Sequence, residues 1–226
     1  MIRSLAIRTY RTVRRPLRRL LKAFFGSNEK RGYQDRRFPQ DQFQLISKAM
    51  HPETKNVLEI GCNQGRLSDA FARQGLFVLG LDVAAHWNAR RRGTDAEEDN
   101  SPAAIKAVQR LDVENVRCLP AFDTIFLLSV HHQWVKQYGD GYAQELVGNL
   151  ALKAERDFFV EFAALAGKYG YSSGEAFLDN DEQSICRYAE SWLRAAGIRA
   201  VHYLGQTREN PPKEPFRFLF HCKPSR

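Results

Sequence analysis

The sequence predicts an α/β fold: a doubly wound, mostly parallel seven-stranded sheet with an antiparallel C-terminal strand, preceded by a basic amphipathic N-terminal helix. Two observations carry the sheet. Short apolar runs of the kind buried strands need alternate with stretches of helical period. One of those runs, Val57-Leu58-Glu59-Ile60, leads straight into Gly61-Cys62-Asn63-Gln64-Gly65 and then into Leu67, Ala70 and Phe71 at helical spacing. Strand, glycine turn and helix in that order is the first half of a nucleotide-binding βαβ unit. The third observation, an uneven charge distribution, sets the N-terminal segment apart.

Residues 1–40 hold twelve Arg or Lys and two acids, so the net charge of +8 belongs to this end and the remainder is slightly acidic. The first 25 residues contain no acid. Ile2, Leu5, Ala6, Val13, Leu17, Leu20, Leu21 and Phe24 recur every three or four residues among arginines, with Pro16 as a bend point. Such a helix suits an anionic membrane surface, where apolar burial adds to about 1 kcal/mol per basic residue. A nucleic-acid arm, an organellar transit peptide and a helix packed on the domain are the alternatives. The scarcity of serine counts against the transit peptide. The chain thus divides into a helix and linker over 1–40 and an α/β domain over 41–226.

No run approaches the roughly twenty apolar residues of a membrane span. Cys62, Cys118, Cys186 and Cys222 are scattered with no C-x-x-C pair, which points to a reducing compartment and away from a zinc site or a disulfide scaffold. The expected location is the cytoplasm, at the inner face of a membrane. Cys62 reads as a small buried residue rather than a nucleophile. No metal-ligand spacing occurs; adjacent His131 and His132 share a face of neither regular structure.

The elements follow in order. Gly26 to Gly32 reads as a linker, and Arg31 to Phe38 interleaves bases and aromatics, as a cover for the site or a surface loop. Asp41 is expected to cap a short helix carrying Phe43, Leu45, Ile46 and Met50 that ends near Pro52. After the first strand, Arg66 to Gln74 forms a helix stopped by Gly75. Phe77 to Asp82 is the second strand. Asp82 falls at its carboxyl end, 21 residues beyond Gly61, where an acid accepts hydrogen bonds from ribose hydroxyls. The alternative for Asp82 is a cap for a helix over Ala84 to Arg92. Gly93 to Pro102 is an acidic insertion, and Ile105 to Leu111 is the third strand, followed by Asp112.

Phe122 to Val130 is a continuous apolar run ending in Ser129-Val130, as a doubly covered parallel strand requires. His131-His132-Gln133-Trp134 and Tyr138 come next. A helix starts at Gly139-Asp140-Gly141 and carries Leu146, Val147 and Leu150. Phe158 to Phe162 is the fifth strand, with Glu161 near its end, placed to bind a substrate hydroxyl or to form a buried ion pair. Tyr169 to Leu178 is a loop of Gly, Ser and aromatics. Asn180 and Gln183 look like a capping box for a helix closed by Gly197. Ile198 to Leu204 and Phe216 to Cys222 are the antiparallel final strands, joined by Arg208 to Pro215.

The spacing of the turn discriminates among cofactors. A dinucleotide fingerprint needs glycine where Asn63 and Arg66 stand, and a phosphate loop needs Gly-Lys-Ser/Thr, which is absent. The pattern is acid-x-Gly-x-x-x-Gly, with a second acid at Asp82. It resembles motif I of the class I S-adenosylmethionine (SAM) methyltransferases, whose cofactor is a sulfonium with no phosphate. The resemblance covers residues 52–226. It implies SAM as cofactor, held by Glu59, Gly61, Cys62, Asn63, Gly65, Asp82 and Ser129, with Asp112 either at the adenine or a turn residue. The run from Phe122 to Val130 resembles the family's motif IV region, where an aromatic or histidine cluster faces the substrate. That makes His131 and His132 candidate bases titrating near neutral pH, or residues that pack or hydrogen-bond locally. Trp134 would stack on an acceptor ring or fill core, the second slightly favoured; Tyr138 stands close behind, and Glu161 joins them as the candidate for a substrate hydroxyl. The Pro-Gly-Gly turn common before the family's fifth strand is missing.

A narrower likeness, to the bicoid-interacting type of RNA-cap methyltransferases, rests on Gly61 to Gly65 with Leu67-Ser68, and on Ser129-Val130 ahead of Trp134-Val135. The expected acceptor is a lipid-linked, sugar or small polar molecule. RNA methylation through the arginine-rich arm, and a non-catalytic membrane or assembly adaptor, are the alternatives.

Overall fold

The computed structural model describes residues 38–85, 103–163, 182–207 and 217–223. The expected N-terminal helix and linker, most of the 84–92 helix, the acidic insertion, the 169–178 loop, the Asn180 cap and the 208–215 link lie outside the described residues.

Seven strands form one sheet in the order β3-β2-β1-β4-β5-β7-β6. β1 (Asn56–Ile60), β2 (Phe77–Asp82), β3 (Ile105–Val108), β4 (Phe122–Leu127) and β5 (Ala154–Ala163) run parallel. β7 (Arg217–Lys223) runs antiparallel between β5 and β6 (Ala200–Thr207). The strand order reverses between β1 and β4, and a crevice opens beyond the carboxyl ends at such a reversal.

Helices cover both faces. On one side Ile46 of α1 (Gln40–Ala49) and Leu67 and Phe71 of α2 (Arg66–Arg73) pack on Val57, Val78, Phe126, Phe159 and Leu219. The rings of Phe43, Phe71, Phe126 and Phe159 follow one another at centroid distances of 5.0, 5.1 and 5.7 Å. On the other side lie α3 (His131–Tyr138), α4 (Asp140–Ala151) and α5 (Glu182–Ala195), which bury Val135, Leu146, Leu150, Ile185 and Leu193 against Leu58, Ile125, Phe158 and Phe162. Each such side chain contributes about 1.5–3 kcal/mol by leaving water. Double coverage explains why β1 and β4 lack polar alternation.

The structure moves several expected boundaries. β3 stops at Val108. It is an edge strand with Ile105 and Val108 exposed, and little apolar burial extends it. β4 stops at Leu127 because Ser129 adopts φ 61°, which no strand continues through. The residues after it form α3, a helix the sequence reading missed. Asp41 lies inside the first turn of α1, and Pro39 precedes the helix without a side-chain cap. β5 begins four residues earlier than expected, and β6 extends to Thr207.

Two acids pin the end of the sheet remote from the glycine turn. Asp123 Oδ2 accepts Lys55 N and Asn56 N at 2.7 and 3.1 Å. Buried Asp157 accepts His51 N at 2.7 Å, His221 Nε2 at 2.8 Å and Lys223 Nζ at 2.7 Å. Burial alone would raise its pKa; the bonds from His221, Lys223 and His51 outweigh that and hold it near about 2. The resulting stability is present above the ordinary value of 3.8 and is lost as pH falls through about 2. Asp157→Ala should cost about 3 kcal/mol in urea unfolding at neutral pH, because it strands buried donors. The difference from wild type should shrink in strong acid. Equal unfolding midpoints at neutral pH would contradict this role.

Candidate functional site

Three strand ends converge where the strand order reverses. β1 hands over to the turn 61–65. Gly61 N and Cys62 N both donate to Leu81 O of β2, at 2.7 and 3.1 Å, and Gly65 N closes the turn on Cys62 O at 2.7 Å. Gly61, Asn63 and Gly65 all have positive φ, at 75, 51 and 70°. Asn is one of the few side chains that tolerate this region. Asp82, at the end of β2, accepts Asn63 N on Oδ2 at 2.8 Å and Ala84 N on Oδ1 at 3.3 Å. The second acid is therefore tied to the glycine turn itself.

A side chain at these glycines would displace a neighbour, Val130 at Gly61 and the mobile end of Lys106 at Gly65, where the positive φ is the firmer constraint. A Cβ on Gly61 would stand 2.3 Å from Val130 Cγ2, and one on Gly65 would stand 1.9 Å from Lys106 Cε. At Gly80, in the middle of β2, it would stand 2.9 Å from Cys62 Sγ and 3.1 Å from Ser68 Oγ. Cys62 fills this gap as a buried side chain, as its position in the sequence suggested. Burial, then the nearby Glu59 and Asp82, push its thiol pKa well above the usual range, which disfavours the thiolate.

Glu59 lies beneath the turn, buried, with its Oε2 accepting the Ser68 hydroxyl. Burial is the main cause of a pKa raised from 4.5 to about 7; the Ser68 hydrogen bond opposes it. The carboxyl is thus a structural member of the layer below the turn.

The end of β4 forms the other wall. Ser129 Oγ donates to Glu161 Oε2 at 2.8 Å. Glu161 is fully buried; its Oε1 accepts Gln42 Nε2 of α1 and, at 2.8 Å, Thr207 Oγ1 of β6. Arg217 Nη1 of β7 lies 3.8 Å from Oε2. Of the two readings of Glu161, the buried ion pair is the one its surroundings match, with three further donors added.

Helix α3 turns its residues in a way an extended cluster would not. His131 is fully buried, its ring 4.1 Å from Phe162 and 4.4 Å from Trp192. Burial, and then His132, hold its pKa well below the usual value, so it stays neutral. His132 and Trp134 are buried as well, Trp134 within the core on this side of the sheet. Tyr138 packs at the edge of that core, 4.9 Å from Tyr142. The expected acceptor-facing set is therefore mostly inward-facing. Gln133 is the exposed member of the run, and its Nε2 donates to Ser129 O at 3.2 Å.

Asp112 lies beyond β3 and serves the 3-10 turn Asn115–Cys118: its Oδ1 accepts Glu114 N and Asn115 N at 3.0 and 2.7 Å. The structure thus gathers Glu59 of β1 and Asp82 of β2 around the turn that holds Gly61, Cys62, Asn63 and Gly65, with Ser129 just beyond β4. Sequence reasoning missed Ser68, Asp69, Lys106, Gln42, Thr207 and Arg217. Only Gly80, an isolated glycine in an apolar strand, carried a local signal of close approach. Among the described residues no group of three or more His, Cys, Asp or Glu is arranged to hold a metal ion.

No protein-family model matches the chain, and no curated protein matches it. Solved structures do. The bifunctional kinase-methyltransferase WbdD is 23% identical, with a TM-score of 0.57 over 81% of this chain and 38% of its own. Magnesium protoporphyrin IX methyltransferase (ChlM) from Synechocystis PCC 6803, solved with bound SAH, is 18% identical, with a TM-score of 0.57 over 92% of this chain and 100% of its own. EvdMO1 is 22% identical, with a TM-score of 0.53 over 82% of this chain and 41% of its own. The fold is that of the SAM-dependent methyltransferases. The chain spans about two fifths of the length of WbdD. These neighbours carry no support for the narrower likeness to RNA-cap enzymes.

The Glu59 carboxyl gives a pH signature. Its neutral form is favoured in the folded state, so the stability it contributes is complete below about 4.5 and is lost as pH rises through about 7. The interval corresponds to about 3 kcal/mol. Glu59→Gln should therefore gain stability relative to wild type as thermal unfolding is followed from acid to mildly alkaline pH. A difference independent of pH would refute the assignment.

Proposed function

We propose that the protein is a SAM-dependent methyltransferase. The observation that carries this reading is the union of Asp82 with a phosphate-free glycine turn, through Asn63 N, at the reversal of strand order. The turn also fits a ligand: Asn63 Oδ1 is buried without a hydrogen-bond partner among the described residues, an acceptor that a bound N–H or O–H group satisfies.

Gly61, Cys62, Asn63, Gly65 and Asp82 would hold the cofactor, with Asp82 on the ribose hydroxyls and Glu59 supporting the turn from below. Bound SAM supplies a methyl on sulfonium sulfur, a good leaving group for in-line displacement by an acceptor lone pair. The chain's part is then position and exclusion of water. Ser129, fixed by Glu161, and the exposed Gln133 shape the acceptor side. Neutral, enclosed His131 supports that wall by packing. The acceptor class we favour is a lipid-linked, sugar or small polar molecule. This goes with docking of the basic segment 1–25 on an anionic membrane surface at the cytoplasmic face. Among the described residues no helix is long and apolar enough to cross a membrane.

Calorimetric titration of the full chain with SAM, SAH and NAD tests the cofactor. Micromolar-range binding of SAM and SAH with none of NAD is expected, lost in Asp82→Ala. NAD binding, or Asp82→Ala binding SAM as tightly as wild type, would defeat the reading. Sedimentation with vesicles tests the surface: binding should require anionic lipid, weaken with salt and vanish when residues 1–25 are deleted. Equal binding to neutral vesicles would defeat that part.

A further inference from the structure

A charge pair lies beneath the glycine turn and takes no part in the contacts assigned to the cofactor. Glu59 of β1 pairs in register with Gly80 of β2, and Gly80 with Lys106 of β3. Residues in such a row project to the same face of the sheet. Gly80 has no side chain, so a gap opens between Glu59 and Lys106. Cys62 Sγ and Ser68 Oγ enter it from the turn and from α2. The Lys106 stem runs toward α2, where its Nζ lies 2.5 Å from Asp69 Oδ1. On the way it passes Gly65 so closely that a Cβ there would meet Cδ at 2.8 Å and Nζ at 3.0 Å. Asp69 Oδ1 also accepts Ala104 N at 3.2 Å, so one carboxylate joins the first turn of α2 to the start of β3.

The two side chains are only 13% and 11% exposed. A pair so deeply placed gives little net stability over apolar side chains of equal volume, since both charges give up their hydration. What it contributes is position and field. We propose that Lys106 and Asp69 are the positioning pair of the cofactor turn: the lysine stem holds Gly65 in its left-handed conformation, and the paired charges set the electrostatic potential at Glu59. This rests on the SAM reading of the turn.

The groups facing Glu59 are Ser68 and Asp69 on α2, Lys106 on β3 and Cys62 in the turn, with Asp82 of β2 acting on Cys62. Burial has the largest effect on the Glu59 proton; Asp69 acts in the same direction and Lys106 against it. Removing one member of the pair therefore moves the Glu59 titration one way, and removing the other moves it the opposite way. General loosening of the turn produces no such opposition.

The test uses full-length wild type, Lys106→Met, Asp69→Asn and the double variant. SAM binding is measured by calorimetry. Thermal unfolding is followed against pH, each protein being compared with the same background carrying Glu59→Gln to isolate that carboxyl. The double variant removes both charges of the pair together; it should fold and bind SAM about tenfold more weakly, equivalent to about 1.4 kcal/mol. The Glu59-linked midpoint, about 7 in wild type, should rise in Lys106→Met and fall in Asp69→Asn. A folded double variant that binds SAM as tightly as wild type overturns the proposal, as do single variants whose midpoints stay put or move together. If the double variant does not fold, the midpoints of the single variants decide. Wild type that binds no SAM overturns the cofactor reading and this proposal with it; wild type that binds while the variants are unchanged overturns the proposal alone.

Discussion

Val130 just before α3, Lys106 of β3 and Asp82 of β2 close on the turn between β1 and α2. Val130 packs on Gly61, Lys106 lies across Gly65, and Asp82 takes the N–H of Asn63. A backbone so enclosed has one shape available, and that shape needs positive φ at three of its five residues. The crevice at the reversal of strand order exists because this turn stays low and narrow. Both of its glycines are demanded by positive φ, and Gly61 also by the Val130 side chain packed on it.

Two buried carboxylates on the same face of the sheet show how environment divides their work. Glu161 collects donors from α1, β6 and Ser129 just beyond β4, with Arg217 of β7 as its ion-pair partner, and acts as a junction for elements far apart in the chain. Glu59 receives one hydroxyl and lies near both a lysine and another acid, so burial dominates and its proton is held up to about pH 7. A compensated acid fixes geometry; an undercompensated one responds to charge brought near it. A cationic cofactor resting above Glu59 would be such a charge.

The sheet was legible in the sequence because central strands covered on both sides read as unbroken apolar runs, as in Val57 to Ile60 and Phe122 to Leu127. The glycine turn was legible because strand, glycine and helix follow one another within a few residues, and the position of Asp82 because strand ends mark themselves. The acceptor side was not. Whether His131 faces the crevice or Phe162 depends on the backbone reversing at Ser129 and starting α3, and nothing local announces a non-glycine residue at φ 61°. Nor does spacing reveal that Lys106 meets Asp69, because they meet only when β3 is laid beside β2. Edge strand β3 was overextended because exposed ends carry little hydrophobic pattern.

The account places a nucleoside-bearing sulfonium above a turn that has no phosphate-binding pattern, with its ribose on Asp82. A co-crystal structure with S-adenosylhomocysteine tests this most directly. The account predicts ribose hydroxyls within hydrogen-bond distance of the Asp82 carboxylate, the amino-acid portion lying against Gly61 to Gly65, and Asn63 Oδ1 accepting a bond from the ligand. Ligand bound elsewhere, or bound with Asp82 and the turn untouched, would contradict it.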